Sequence, residues 1–477
     1  MAPSDVRPRL ELLSAEQMNE VHQYSIEILE KTGIRVVSDT AQRIFKESGA
    51  VRIKGDMVYI SGELINHAIK VAPPDIEIFK RNGEPAFHLG RKQGHETYFG
   101  IGVTNIYYQD IESSRLELFT RKHMQHSTRM GDLLDNYDII STIGIPSDVP
   151  VESLDLYATL DMYANTEKPL VLLILGEKKI NNVLEMLSHL HGNISKRPFC
   201  IPYVNLITPL VLNASTTDKM ITAINNDLPL IFSNYCMYGG TSPATPGGTL
   251  ALLNAELLAG LVFSQLVKEG SKIILGSLPA AFNMSSMGSY YTSYSYLLNL
   301  ACAEMMHYYE IPHCGTSGSN NGRGADLPAS ENLCVNHLSS CLGKVGCAPF
   351  VGGTFESMAF SPAMVVLSNH IIGEAKKFAG GFTLDNENVN LDEIKRVGPG
   401  GNYFTSEQTL GLLQEEANEV ELWKSMDINQ WEKQNMPKAE DELIELSKEF
   451  YNRAQKIPEH SMDITGRGEA FIKSIHR

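Results

Sequence analysis

The chain has 477 residues, 43% of them hydrophobic, and a formal net charge of −16. That length can bury a sizeable core, as one large α/β barrel with additions or as two or three smaller domains. The acidic balance argues against nucleic acid, whose phosphates demand clustered Lys and Arg, but is compatible with steering a cationic ligand.

The N-terminus, MAPSDVRPRLELLS, carries charges and prolines where a secretory signal has an apolar core. No apolar run reaches the roughly 20 residues of a membrane span. A cytoplasmic protein with no membrane partner is therefore expected. The seven cysteines (200, 236, 302, 314, 334, 341 and 347) have no CxxC spacing, which reads as reduced thiols and no structural zinc.

In chain order, residues 1–90 read as an N-terminal α+β layer. Ser14 can cap a helix over 15–31, and a second covers 40–48. VRIKGDMVYI alternates around Gly55 as a short hairpin. A helix over 62–71 stops before Pro73 and Pro74. Residues 91–378 then repeat a structural unit. Apolar strands are expected at 96–101, 138–144, 169–175, 199–205, 228–234, 272–277, 311–316 and 348–353. Helices are expected at 120–134, 151–164, 177–190, 215–226, 250–268, 292–308, 328–345 and 363–377. Eight alternating units with near-continuous apolar strands predict a TIM (β/α)8 barrel, preferred over an open doubly wound sheet. Residues 379–477 form a C-terminal helical extension, with helices at 405–420 and 439–456. Trp423 and Trp431 are expected to clamp this tail onto the barrel.

Much catalytic equipment is missing from the sequence: HExxH, GxxxxGK[ST] and GxSxG do not occur. The pairs His123/His126 and His189/His191 fall on outer helices and read as surface or structural residues, so no metal site is expected.

In a barrel the active site lies where strands end and βα loops begin. Those positions supply Tyr98, Phe99 and Asn105, then Asn205, then Asn234, Tyr235 and Tyr238. Further along come Phe282, then Thr316, Ser317, Asn320 and Arg323, then Phe355 and Glu356. Rings, amides and hydroxyls are poor equipment for acid–base catalysis, and no acid, base or nucleophile is assigned. They suit a small cation, because ring faces attract a quaternary ammonium. Tyr98, Phe99, Tyr235, Phe282 and Phe355 are the candidate cage. Asn205, Asn234, Thr316, Ser317, Asn320 and Arg323 are candidate donors to an anionic group on the ligand, and Glu356 could pair with its positive charge.

The segment YGGTSPATPGGTLALLNAELLAG (238–260) resembles G-x-x-[SA]-P-x-T-x-A/G-G-x-L-A-L-x-N-A-E of the trimethylamine methyltransferase (MttB) superfamily. TRKHMQHSTRMGDLLDNYDIIS, VNLITPLVLNASTTDKM, VGPGGNYFTSEQTL and LWKSMDINQWEKQ agree in the same order, across essentially the whole chain. The resemblance implies a barrel enzyme that moves a methyl group from a methylamine to the Co(I) corrinoid of a separate protein, with no cofactor tightly bound. The founding members carry pyrrolysine. Here the corresponding stretch, TSGSNNGRGADLPASE, has only ordinary residues, and DLPASE stands where D-x-Q-A-G-Y-E is usual.

The resemblance is thus to the non-pyrrolysine members, similar to glycine betaine methyltransferases. It implies a quaternary-amine substrate, glycine betaine first, or otherwise proline betaine, carnitine or butyrobetaine. A non-catalytic betaine-binding barrel is the alternative. Tyr238, Gly239, Gly240, Gly247 and Gly248 would form a shelf for the corrinoid, or only a tight βα turn. A homo-oligomer is expected, as barrels of this size often associate.

Overall fold

The computed structural model describes residues 4–92, 94, 96–176, 179–416, 422–423 and 425–475. Eight parallel strands close on themselves: β1 (Tyr98–Ile101), β2 (Ile139–Ser141), β3 (Leu170–Leu173), β4 (Cys200–Asn205), β5 (Leu230–Tyr238), β6 (Ile273–Asn283), β7 (His313–Cys314) and β8 (Cys347–Val351). β8 pairs with β1 through Cys347↔Tyr98 and Ala348↔Phe99, so the open-sheet alternative is excluded. Each strand leads to a helix of the outer ring: α1 (Arg121–Leu133), α2 (Leu154–Asn165), α3 (Ile180–His191), α4 (Ala214–Asn225), α5 (Pro246–Val267), α6 (Ser293–Tyr308), α7 (Leu327–Leu342) and α8 (Pro362–Gly380). All sixteen expected elements occur in the expected order, although residues 177–178 of the expected third helix lie outside the described residues.

The two ends of the barrel differ. At the lower end an antiparallel hairpin, Asp75–Phe79 with Pro85–Gly90, fills the opening. Its Ile76, Ile78, Phe87 and Leu89 share one core with Ile139, Val171, Ile201, Ile231 and Ile274 of the strands. The alternation in DIEIF and AFHLG buries one face of a two-stranded ribbon, a pattern the sequence reading left unassigned. At the upper end β5 and β6 stay paired in register from Leu230↔Ile273 to Tyr238↔Ala281. The strand Gly288–Tyr290 returns antiparallel on β6, so a wall rises above the rim.

The N-terminal layer packs on the outside. Ser14 closes a capping box with Gln17 on the helix Ala15–Glu27, which continues as a π-turn, Ile28–Thr32. This helix, Asp39–Glu47 and Gly62–Val71 all lie against α5. That explains an exception to the expected lack of long apolar runs. α5 is long and apolar enough to cross a membrane, yet 89% of its most apolar stretch is buried within the protein. A helix covered on every side needs no polar face.

The tail contains Glu407–Glu416, and residues 417–420 of the helix expected there lie outside the described residues. Ala439–Arg453 packs on α1 and α8, and an unforeseen helix, Ser461–Ile475, packs on α2 and α3. Trp423 does clamp the tail, meeting His370 of α8 edge-on. The Trp431 indole donates to Pro437 O, within the tail itself.

Candidate active site

Strand pleating decides which side chains enter the barrel, because successive residues face opposite sides. On β5, Ile231 belongs to the interior core while Leu230 and Phe232 face the helices. Ser233 and Tyr235 therefore point inward, and Asn234 and Tyr238 outward. On β4 the same parity sends Ile201, Tyr203 and Asn205 inward.

At the mouth, four elements meet around Tyr235. Ser289, Glu356 and Tyr291 lie close enough to act on the Tyr235 and Tyr291 phenols electrostatically. Glu356 accepts from the Ser289 amide at 2.9 Å. Burial raises the Tyr235 hydroxyl above its ordinary pKa and pushes that of Tyr291 to about 12, so both stay neutral donors. Asn321 fixes Tyr291 from both sides, accepting from its amide at 2.8 Å and donating to its carbonyl at 2.8 Å. Glu356 itself sits in an unusual backbone. Phe355, Glu356 and Ser357 have φ of 51°, 56° and 64°, three consecutive non-glycine residues in the left-handed region. Each costs roughly 1–2 kcal/mol, so the surrounding loops hold this turn against its own preference. Among the described residues no Lys, Arg or His forms an ion pair with Glu356.

One pleat lower is a second polar layer. Asn205 is paired with Ser233, and Tyr203 with Ile231. Tyr203 is 6% exposed, its ring meets Phe350 edge-on at 5.0 Å, and its hydroxyl is enclosed without a hydrogen-bond partner. Ser233 and Asn205 lie close enough to influence that hydroxyl, but neither meets it with hydrogen-bond geometry.

Several candidate residues lie elsewhere. Tyr98 begins β1 at the lower end, stacked 4.3 Å from Phe87 of the plugging hairpin. Phe99 is wholly buried against the helix layer, edge-on to His337. Asn234 donates outward to Leu253 O and Glu256 Oε2. Ser317 bonds His337 Nδ1 at 2.7 Å on the helix side. Thr316 is buried, its backbone held by Asn299 and its hydroxyl 2.6 Å from that of Ser319. Asn320 spends its amide latching Gly318, Gly322 and Gly353. Asn105 likewise bonds Ser357 O across the loops. Tyr238 leans outward, its hydroxyl 2.5 Å from that of Thr292. Phe355 and Arg323 are exposed on the upper face, as is the Phe282 edge beside Gly240 in part.

The glycine shelf divides as well. A Cβ at Gly240 would sit 2.9 Å from the Phe282 ring, and one at Gly248 would sit 3.0 Å from Pro243, so internal packing accounts for both. Gly239, with φ of 87°, has open space beside it. Gly247 opens on a groove of about 590 Å³ against Tyr24 and Lys31 of the N-terminal helix. A cavity of about 890 Å³ lies under residues 5–18 beside α6 and α7. It is remote from the strand ends, where barrel chemistry is built, so we place the site at the mouth.

Sequence reasoning missed Tyr203, Ser289 and Tyr291. The parity of CIPYVN, two residues before Asn205, carried a signal for Tyr203. Ser289 arrives on a returning strand that no local periodicity announces, and Tyr291 directly after it.

The comparisons with known proteins agree with this architecture. The chain is 25% identical over 407 residues to a glycine betaine methyltransferase of Desulfitobacterium hafniense (strain Y51), covering 84% of each chain. It is 26% identical over 421 residues to the trimethylamine methyltransferase MttB of Desulfitobacterium hafniense (strain DSM 10664 / DCB-2), covering 87% of this chain and 84% of that one. The solved monomethylamine methyltransferase (MtmB) of Methanosarcina barkeri superposes with a TM-score of 0.56 at 9% identity, covering 94% of this chain and 89% of that chain, a likeness of fold. The family model for trimethylamine methyltransferase (MTTB) matches residues 2–472, and the chain belongs to that family.

Proposed function

We propose that the protein moves a methyl group from a quaternary amine, glycine betaine first, to the Co(I) corrinoid of a partner protein. The observation that carries this reading is the mouth cluster. Glu356 is a carboxylate without a cationic partner among the described residues, fixed in a strained turn beside Tyr235 and Tyr291. Ring faces and a carboxylate attract an ammonium. The exposure of Glu356 lets solvent screen its pull, which limits over-stabilisation of the bound cation relative to the transition state. A methyl leaves such a substrate as the C–N bond breaks, the electron pair staying on nitrogen. The product is a neutral tertiary amine, so no proton has to move, in keeping with a mouth built from phenols, a serine and one carboxylate.

The corrinoid would supply the nucleophile that accepts the methyl. The upper face suits a broad, flat acceptor: Met284 (83% exposed), Met287 (72%) and Phe355 (37%) on the βα loops and Leu327 (79%) at the start of α7 present apolar surface. Gly239 adds open space on the neighbouring loop. On this reading the work of the chain is to hold the ammonium and aim one methyl outward.

The purified protein with free cob(I)alamin is expected to demethylate glycine betaine, followed as loss of Co(I) absorbance. Turnover of trimethylamine alone in a panel with proline betaine, carnitine and butyrobetaine would refute the assignment. A second expectation separates charge from fold. Glu356→Asn keeps a residue tolerant of the left-handed region, so the melting temperature should hold or rise slightly. Affinity for tetramethylammonium should fall several-fold by calorimetry, and unchanged affinity would remove Glu356 from the site.

A further inference from the structure

We infer that Tyr203 is a specificity-determining residue, its hydroxyl donating with Asn205 and Ser233 to a carboxylate at the inner end of the substrate. The inference rests on the methyl-transfer reading and adds the orientation and class of substrate. The acceptor is carried by a macromolecule and can approach only from the upper face, because the hairpin Asp75–Phe79/Pro85–Gly90 fills the lower end. The reacting methyl must therefore face outward, and the rest of the substrate must point down the barrel axis. The chemistry of the inner layer then selects what that remainder can be.

That layer is defined by strand register. Asn205 and Ser233 lie side by side, and Tyr235 is one pleat above Ser233, about 6.6 Å higher along the strand. Below come Ile201 and Ile231 of the apolar floor. Between floor and mouth, Tyr203 offers a donor enclosed at 6% exposure with no partner. A buried hydroxyl left unpaired is costly, and a bound group that accepts from it would remove that cost. Phe350, edge-on at 5.0 Å, packs against the ring and limits its movement. Hydroxyl, hydroxyl and amide are all able to donate, which favours an acceptor-only group and disfavours a second ammonium. A short zwitterion spans one pleat, with its ammonium against Tyr235, Tyr291 and Glu356 and its carboxylate against Tyr203, Ser233 and Asn205.

The test is calorimetric binding of glycine betaine and of tetramethylammonium, which lacks the carboxylate, to the native protein and to Tyr203→Phe. The variant keeps the ring, and its melting curve confirms folding. Betaine affinity should fall about 10- to 100-fold, with tetramethylammonium unchanged. Asn205→Ala, at an exposed position, should show the same selective loss and serves if Tyr203→Phe proves unstable. Equal betaine affinity in native and variant proteins, or equal loss for both ligands, overturns the inference and leaves the methyl-transfer reading standing. A native protein that binds neither ligand overturns both.

Discussion

Replacing Arg121 by methionine lowers stability by about 3–5 kcal/mol, the usual result of breaking a buried ion pair from one side. Arg121 Nε and Nη2 each reach an Asp161 oxygen at 2.8 Å, and Nη1 reaches Glu469 at 2.8 Å. The guanidinium also lies 4.4 Å over the Tyr157 ring. Asp161 has no exposed side-chain surface. Burial pushes its carboxyl above the ordinary value, and the arginine pulls it back. Without Arg121, among the described residues only the Gln125 amide, at 2.9 Å, still donates to its carboxylate. The folded-state pKa then climbs further, so the variant is penalised least in acid, and the deficit grows as pH rises through that value. Chemical denaturation at pH 5 and pH 8 checks the trend. Adding Asp161→Asn should recover part of the loss, since it removes the stranded charge. Because Glu469 sits on Ser461–Ile475, limited proteolysis should release that helix first; an intact tail in the destabilised variant would count against this account.

Glu256→Ala comes second, at about 2–5 kcal/mol. This buried carboxylate ties three things together: Thr208 Oγ1 at 2.9 Å, the Leu210 amide at 2.7 Å and Asn234 Nδ2 at 2.9 Å. It thereby joins α5 and β5 to the loop that leaves β4. Burial raises its pKa to about 7 from an ordinary 4.5, despite the three donors. The native state therefore keeps a proton that the unfolded chain has lost. Its contribution to stability is fully present below about pH 4.5 and is lost as pH rises through 7, a change of about 3 kcal/mol. Glu256→Gln should flatten that slope between pH 5 and pH 8 in denaturation profiles, whereas a slope identical to the native one would place the titration elsewhere.

The barrel was legible because each strand is a bounded apolar run and several helices open on a cap such as Thr120 or Asp326. The site was less so, for a physical reason. Strands buried on both faces show no alternation, so sequence locates a strand end without saying which neighbour points inward. Asn234 and Tyr235 are adjacent and were both proposed, yet they face opposite sides. Tyr98 and Phe99 fell at the wrong end because β1 starts at Tyr98, and the chain needs several more residues to reach the mouth. Asn320 and Ser317 have the right chemistry, and their partners across the fold consume it. The plugging hairpin was readable from period-two patterning alone. Glu356 was named from its charge, while the left-handed turn that aims it depends on contacts no local pattern encodes.

The filled lower end has a kinetic consequence. A barrel with one door cannot exchange small molecules while a protein-borne acceptor stands in it. For the transfer proposed above, the amine must enter before the acceptor docks, and the demethylated amine must wait until the acceptor departs. Turnover would then follow a compulsory order, and the lifetime of the docked complex, set by the apolar rim at Met284, Met287 and Leu327, would limit the rate as directly as the chemistry inside.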